Sequence, residues 1–144
     1  MRFNDVILLQ GRALEWFTSL GLMLFAFTLW LPGDTLSSPT FKGFSEFGVT
    51  EMTLVLPLAI IAAMRMAALL INGMWRRSPI LRMIGAIVGL MCFACLAMMV
   101  GWPYFTGQTQ ALSTGFFTYL LWALADFIAA YRSGADVGTT SKRK

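Results

Sequence analysis

Along the chain, long apolar runs alternate with short polar breaks. Four runs stand out, from about Leu14 to Leu31, Met52 to Asn72, Ile80 to Gly101 and Leu112 to Tyr131. The hydrocarbon core of a bilayer takes about 20 consecutive apolar residues in helical form. A strand is a poor alternative, because an open strand in lipid leaves its backbone N–H and C=O groups unpaired. The pattern predicts an all-α fold, an integral membrane bundle of four transmembrane helices.

The breaks carry helix-ending chemistry. Pro32-Gly33-Asp34 ends the first helix, Thr50 can cap the second and Gly73 can stop it. Ser78-Pro79 starts the third helix, with Ser as cap and Pro in the first turn, and Trp102-Pro103 closes it. Ser113 or Thr114 can cap the fourth. The short stretch from Gly73 to Ser78 predicts that the second and third helices form a tight antiparallel hairpin. The first outer loop is long, from Pro32 to Glu51, and holds Phe41, Phe44 and Phe47 at steps of three. It is either a short helix lying in the membrane interface or a loop tucked over the bundle with its phenylalanines as plugs. The four-helix domain spans 1–131. The polar, basic stretch 132–144, rich in Gly, Ser and Thr, is expected to be a disordered tail.

Composition supports lipid as the solvent. Of 144 residues, 58% are hydrophobic and 12% charged, more apolar side chains than a soluble globule of this size can hide. The chain has no histidine, which removes the usual haem ligand, the commonest zinc ligand and the commonest general base. No metal, cofactor or nucleic-acid motif is legible, and the expected function is non-enzymatic. Arg2 and Arg12 precede the first run as in a signal peptide, but the run ends Trp30-Leu31-Pro32-Gly33 with no small-x-small cleavage site, so a retained span is expected.

Orientation follows from lysine and arginine. Arg2 and Arg12 precede the first span, Arg76, Arg77 and Arg82 surround the second turn, and Arg132, Lys142, Arg143 and Lys144 follow the last span. The two remaining connections hold Lys42 alone. Both ends are therefore expected in the cytoplasm, N-in and C-in. Trp16, Trp75 and Tyr131 then lie at the inner ends, and Trp30, Trp102 and Tyr104 at the outer ends.

Arg65 is the anomaly, flanked by Ile60-Ile61-Ala62-Ala63-Met64 and Met66-Ala67-Ala68-Leu69-Leu70. A charge near mid-span costs roughly 2.5–3.5 kcal/mol on insertion scales and usually faces the protein interior. Glu15 and Asp126 are the other ionisable groups inside or at the edge of a span. At a rise of about 1.5 Å per residue, all three fall in the inner leaflet, with Asn72 on the stripe of Arg65. The expectation is a buried polar layer of Glu15, Arg65, Asp126 and Asn72. Arg65 pairs with Asp126, while Glu15 lies within reach of Arg12 or Arg65. Two roles compete: an ion pair that fixes helix order, or the lining of a proton or ion path.

Two further motifs are weaker. Cys92-Phe93-Ala94-Cys95 forms C-x-x-C, but a membrane disulfide-exchanging enzyme needs a second cysteine pair and this chain has two cysteines in all. Packing is the better account. Gly85 and Gly89 form G-x-x-x-G, the spacing of a close helix contact, within the bundle or between copies.

The stretches Arg65-Met66-Ala67-Ala68-Leu69-Leu70-Ile71-Asn72-Gly73 and Arg76-Arg77-Ser78-Pro79-Ile80-Leu81-Arg82 resemble small four-span membrane proteins of bacteriophage and prophage genomes, as do Leu31-Pro32-Gly33-Asp34-Thr35 and Tyr131-Arg132. The resemblance is one of overall pattern and covers most of the chain. It implies a bacterial inner membrane and the bilayer as partner. It also implies a protein that self-associates as a homo-oligomer or docks on a membrane complex, with a holin-like pore as one form. A glutamate in the first of four helices also fits a small proton-coupled exporter using Glu15. Against that stand the strong charge bias, the long first outer loop and the Arg65–Asp126 pair.

Overall fold

The computed structural model describes residues 12–74 and 79–141, the side chains of 72–74 and 136–141 excepted. Four long helices dominate: α1 (Ala13–Trp30), α2 (Glu51–Met74), α3 (Pro79–Phe105) and α4 (Thr114–Ser141). Each is long and apolar enough to cross a membrane, and among the described residues there is no strand. The protein is a multi-pass, all-helical membrane protein.

Successive helices run in opposite directions and stand at four corners. α1 packs on α2 and on α4, and α3 packs along α4. α2 and α4 occupy a diagonal, with their backbones apart. The turn expected to join α2 and α3 in a tight hairpin lies outside the described residues. The two touch sparingly, because charged side chains stand between their basic-end halves. The core is built in layers that advance one turn at a time. Leu22, Ala62 and Phe93 are fully buried, with Trp122 packed against them. Farther from the basic end come Ala26, Leu58 and Leu96, then Leu29 and Val100. Large apolar side chains also cover the outside, among them Phe17, Leu56, Met64, Met91, Leu121 and Phe127. Lipid is their natural solvent.

The long loop after α1 closes the end of the bundle opposite the basic one. After α1 it makes two 3₁₀ turns, Thr35–Ser37 and Pro39–Phe41, and then a short helix, Lys42–Glu46. Glu51 at the start of α2 accepts from the N–H groups of Thr35 (2.5 Å) and Leu36 (3.2 Å), which fixes the first turn. Phe44 is buried and Phe41 packs against the core, so these two act as plugs, whereas Phe47 stays exposed against the Trp102 ring at 5.2 Å. Ser113 caps α4, its hydroxyl accepting from the Gly115 N–H at 3.2 Å.

Two helix ends differ from expectation. Trp102-Pro103 does not close α3, which runs on to Phe105. Pro103 has no N–H to give the carbonyl of Met99 four residues back. That carbonyl faces Gly43 of the short loop helix so closely that a Cβ there would lie 2.2 Å from the Met99 oxygen. The loop covers the backbone group that the proline leaves without a helical partner. At the other end, the expected disordered tail from Arg132 is corrected, since α4 continues to Ser141. Packing holds its first part: Ser133 is fully buried, and Gly134 lies beside the Met83 sulfur, 3.5 Å from where its Cβ would be. Ser78, Trp75, Arg76, Arg77 and residues 142–144 lie outside the described residues. Gly73 is not the stop, because α2 includes Met74.

Gly43 gives a test. Gly43→Ala places a methyl against backbone and should destabilise the protein by about 1–3 kcal/mol. The loop from Pro32 to Thr50 should become more sensitive to protease in detergent. Unchanged melting and digestion would show that the contact with Met99 is not close-packed.

Candidate functional site

The polar layer sits one turn toward the basic end from the Leu22–Phe93–Trp122 layer. α2 supplies Arg65 (6% exposed) and α4 supplies Asp126 (0%), so the pair spans the diagonal of the bundle. The contact is bidentate: Nη1 donates to Oδ2 at 2.9 Å and Nη2 to Oδ1 at 2.7 Å. Fork-to-fork geometry of this kind is the strongest form of arginine–carboxylate pairing. The corners of the other diagonal complete the site. Thr18 of α1 donates its hydroxyl to Asp126 Oδ1 at 2.7 Å and accepts from Arg65 Nη2 at 3.0 Å. Gly89 of α3 provides room: a Cβ there would fall 1.8 Å from Arg65 Nη1 and 2.0 Å from Asp126 Oδ2.

Glu15 forms a second pair, one turn closer to the basic end. Its carboxylate accepts from Arg82 of α3, whose Nε lies 3.1 and 3.2 Å from its two oxygens and whose Nη2 also donates to Oε1. Ser19 donates its hydroxyl back to the Glu15 carbonyl at 2.6 Å, on the same face of α1. Glu15 itself is 3% exposed. The Glu15 carboxylate is therefore held by Arg82, a residue that the sequence did not pair with it. The side chain of Asn72, placed in the layer by sequence, lies outside the described residues.

The expected Arg65–Asp126 pairing is present, and two participants are new, Thr18 and Arg82. Thr18, three residues along α1 from Glu15, carries no charge that would single it out in the sequence. Arg82 looked like a boundary charge, yet it shares a face with Gly85 and Gly89 at helical spacing, a signal that pointed it inward. The G-x-x-x-G motif has its role inside the bundle. Gly85 faces the Arg65 stem, its Cβ position 3.7 Å from Cγ, and Gly89 admits the ion pair. Cys92 is half-buried and Cys95 exposed on the lipid side, both as free thiols.

In the two pairs two guanidiniums meet two carboxylates, and Thr18 joins the inner pair as both donor and acceptor. Toward the loop end, Phe93 and Trp122 seal it with a ring contact at 5.1 Å. The Trp122 ring lies over Gly21, where a Cβ would overlap it at 1.4 Å. The arrangement holds four helices in order and offers no polar route past this seal.

Removing Arg65 or Asp126 alone should destabilise by about 3–5 kcal/mol, because the survivor is a buried, unpartnered charge. Arg65→Met combined with Asp126→Leu should be milder than either single change. Strictly additive losses in a double-mutant cycle would show the two are not coupled. Gly89→Ala should lose about 1–3 kcal/mol by overpacking, or more where the pair is displaced. Tolerance of alanine in a melting experiment would contradict the described geometry.

Comparison with known proteins finds no protein family, curated protein or solved structure that matches this chain. Its own geometry therefore carries the functional argument, beginning from a multi-pass membrane protein with four candidate spans.

Proposed function

We propose that this is a non-enzymatic protein of phage or prophage type in the bacterial inner membrane, with both ends in the cytoplasm. It acts by association, with copies of itself or by docking on a membrane complex. One observation carries the reading: both inner-leaflet carboxylates are engaged by arginines, Asp126 by Arg65 and Glu15 by Arg82. A proton-coupled exporter needs a carboxylate that binds and releases protons in each cycle, and Glu15 held by Arg82 is poorly disposed for that work. The sealed interior also argues against a channel through a single bundle. A holin-like pore would have to form between copies, along apolar outer faces such as that of Leu56, Ile60 and Met64. Positive charge at one end supports the orientation.

Two experiments test this. Reporter fusions should place both ends and the Gly73–Ser78 turn in the cytoplasm, and 32–51 and 103–112 outside. A cytoplasmic report from the Lys42 region would overturn the orientation. Controlled expression in a bacterium, with dye leakage and growth in toxic cations followed together, separates pore from exporter. Glu15→Gln keeps part of the hydrogen bonding and should retain whatever effect the wild type has on the membrane. Cation resistance in the wild type that vanishes in Glu15→Gln would favour the exporter instead. Leakage or growth arrest in both forms supports a pore, and neither effect in either form leaves docking.

A further inference from the structure

Between the two ion pairs lies a cavity of about 20 Å³, lined by Glu15, Arg65, Ala68, Arg82, Gly85 and Ala86 among others. This is room for about one water molecule, which requires roughly 10–15 Å³ and two to four polar partners. The walls supply them. Arg65 carries five N–H donors, and three are spent on Asp126 and Thr18. Its other two have no acceptor among the described residues. Across the cavity, Glu15 offers an acceptor-rich carboxylate. The cavity lies among α1, α2 and α3, where α2 and α3 are in sparing contact.

We propose that this cavity is a water-binding site, in which one water accepts from Arg65 and donates to Glu15. The two ion pairs then form a single hydrogen-bonded network, reaching from Arg82 at the basic end to Asp126 at the centre. A charge removed from the outer pair is felt by the inner pair through that water, although no protein hydrogen bond joins Glu15 to Arg65 among the described residues. A dry cavity would keep the pairs independent, apart from their weak long-range field.

Gly85→Ala is a suitable probe, because its methyl points into the cavity space and meets only the Arg65 Cγ at an ordinary 3.7 Å. The variant should fold. In the full chain in nanodiscs, with arginine side chains labelled for NMR, the Arg65 Nε–H should show an exchange peak with water. Gly85→Ala should abolish that peak and lower the melting temperature. It should also reduce the coupling between Glu15→Gln and Asp126→Asn in a double-mutant cycle to what their direct field supplies. No water peak from wild-type Arg65, with Arg82 giving one in the same sample, would overturn the proposal. So would a rise in melting temperature for Gly85→Ala, the response of a dry void that has been filled.

Discussion

A guanidinium inside a bundle of hydrocarbon side chains must find a carboxylate, because neither lipid nor packed leucine can replace its hydration. Arg65 meets that need across the diagonal, and the geometry of its neighbours follows. Asp126 must face inward from α4 at the same depth. The helix at one remaining corner must present a small polar group, which is Thr18, and the helix at the other must present nothing, which is Gly89. Buried pairs of this kind contribute little net stability against an apolar alternative. Their effect is selective: another rotation of any one helix leaves a charge without a partner.

The same interaction divides the molecule into halves. α1 and α2 form one well-packed hairpin, and α3 and α4 form the other. At the basic end the two ion pairs run from one hairpin to the other. At the far end the first loop reaches across, with Glu46 accepting from the Trp102 indole at 2.7 Å and also from the Gln108 amide. Between these polar ties, α1 packs on α4 through rings such as Phe25 and Tyr119, 5.7 Å apart. Specificity is thus concentrated at the ends and close packing in the middle, while the exterior remains uniformly greasy.

Much of this was legible in the chain. Spans were readable because lipid demands long apolar helices, and the Arg65–Asp126 pairing because charges that deep are few and each needs a partner. What escaped was set by tertiary contact. The partner of Glu15 could not be chosen by proximity in sequence, since Arg82 lies 67 residues away and arrives by packing of α3. Pro103 reads as a helix end, and is overruled by a loop that covers the carbonyl it strands. Arg132 to Ser141 reads as tail by composition, yet α4 continues, with Ser133 buried and Gly134 packed beside Met83. Gly85 and Gly89 were visible as a close-contact motif, but the object approaching them proved to be a side chain rather than a helix backbone.

Separation along the chain has a consequence for biogenesis. Arg65 precedes its carboxylate by 61 residues. At about 5–20 residues per second, synthesis takes roughly 3–12 s to reach it. During that interval the first hairpin holds a guanidinium whose carboxylate has not yet been made, and Glu15 still awaits Arg82. Until its other half emerges, the nascent hairpin carries that charge at a cost of roughly 2.5–3.5 kcal/mol on insertion scales. Translation stopped between the hairpins would yield a product with two buried charges exposed to lipid, a natural substrate for membrane quality-control proteases.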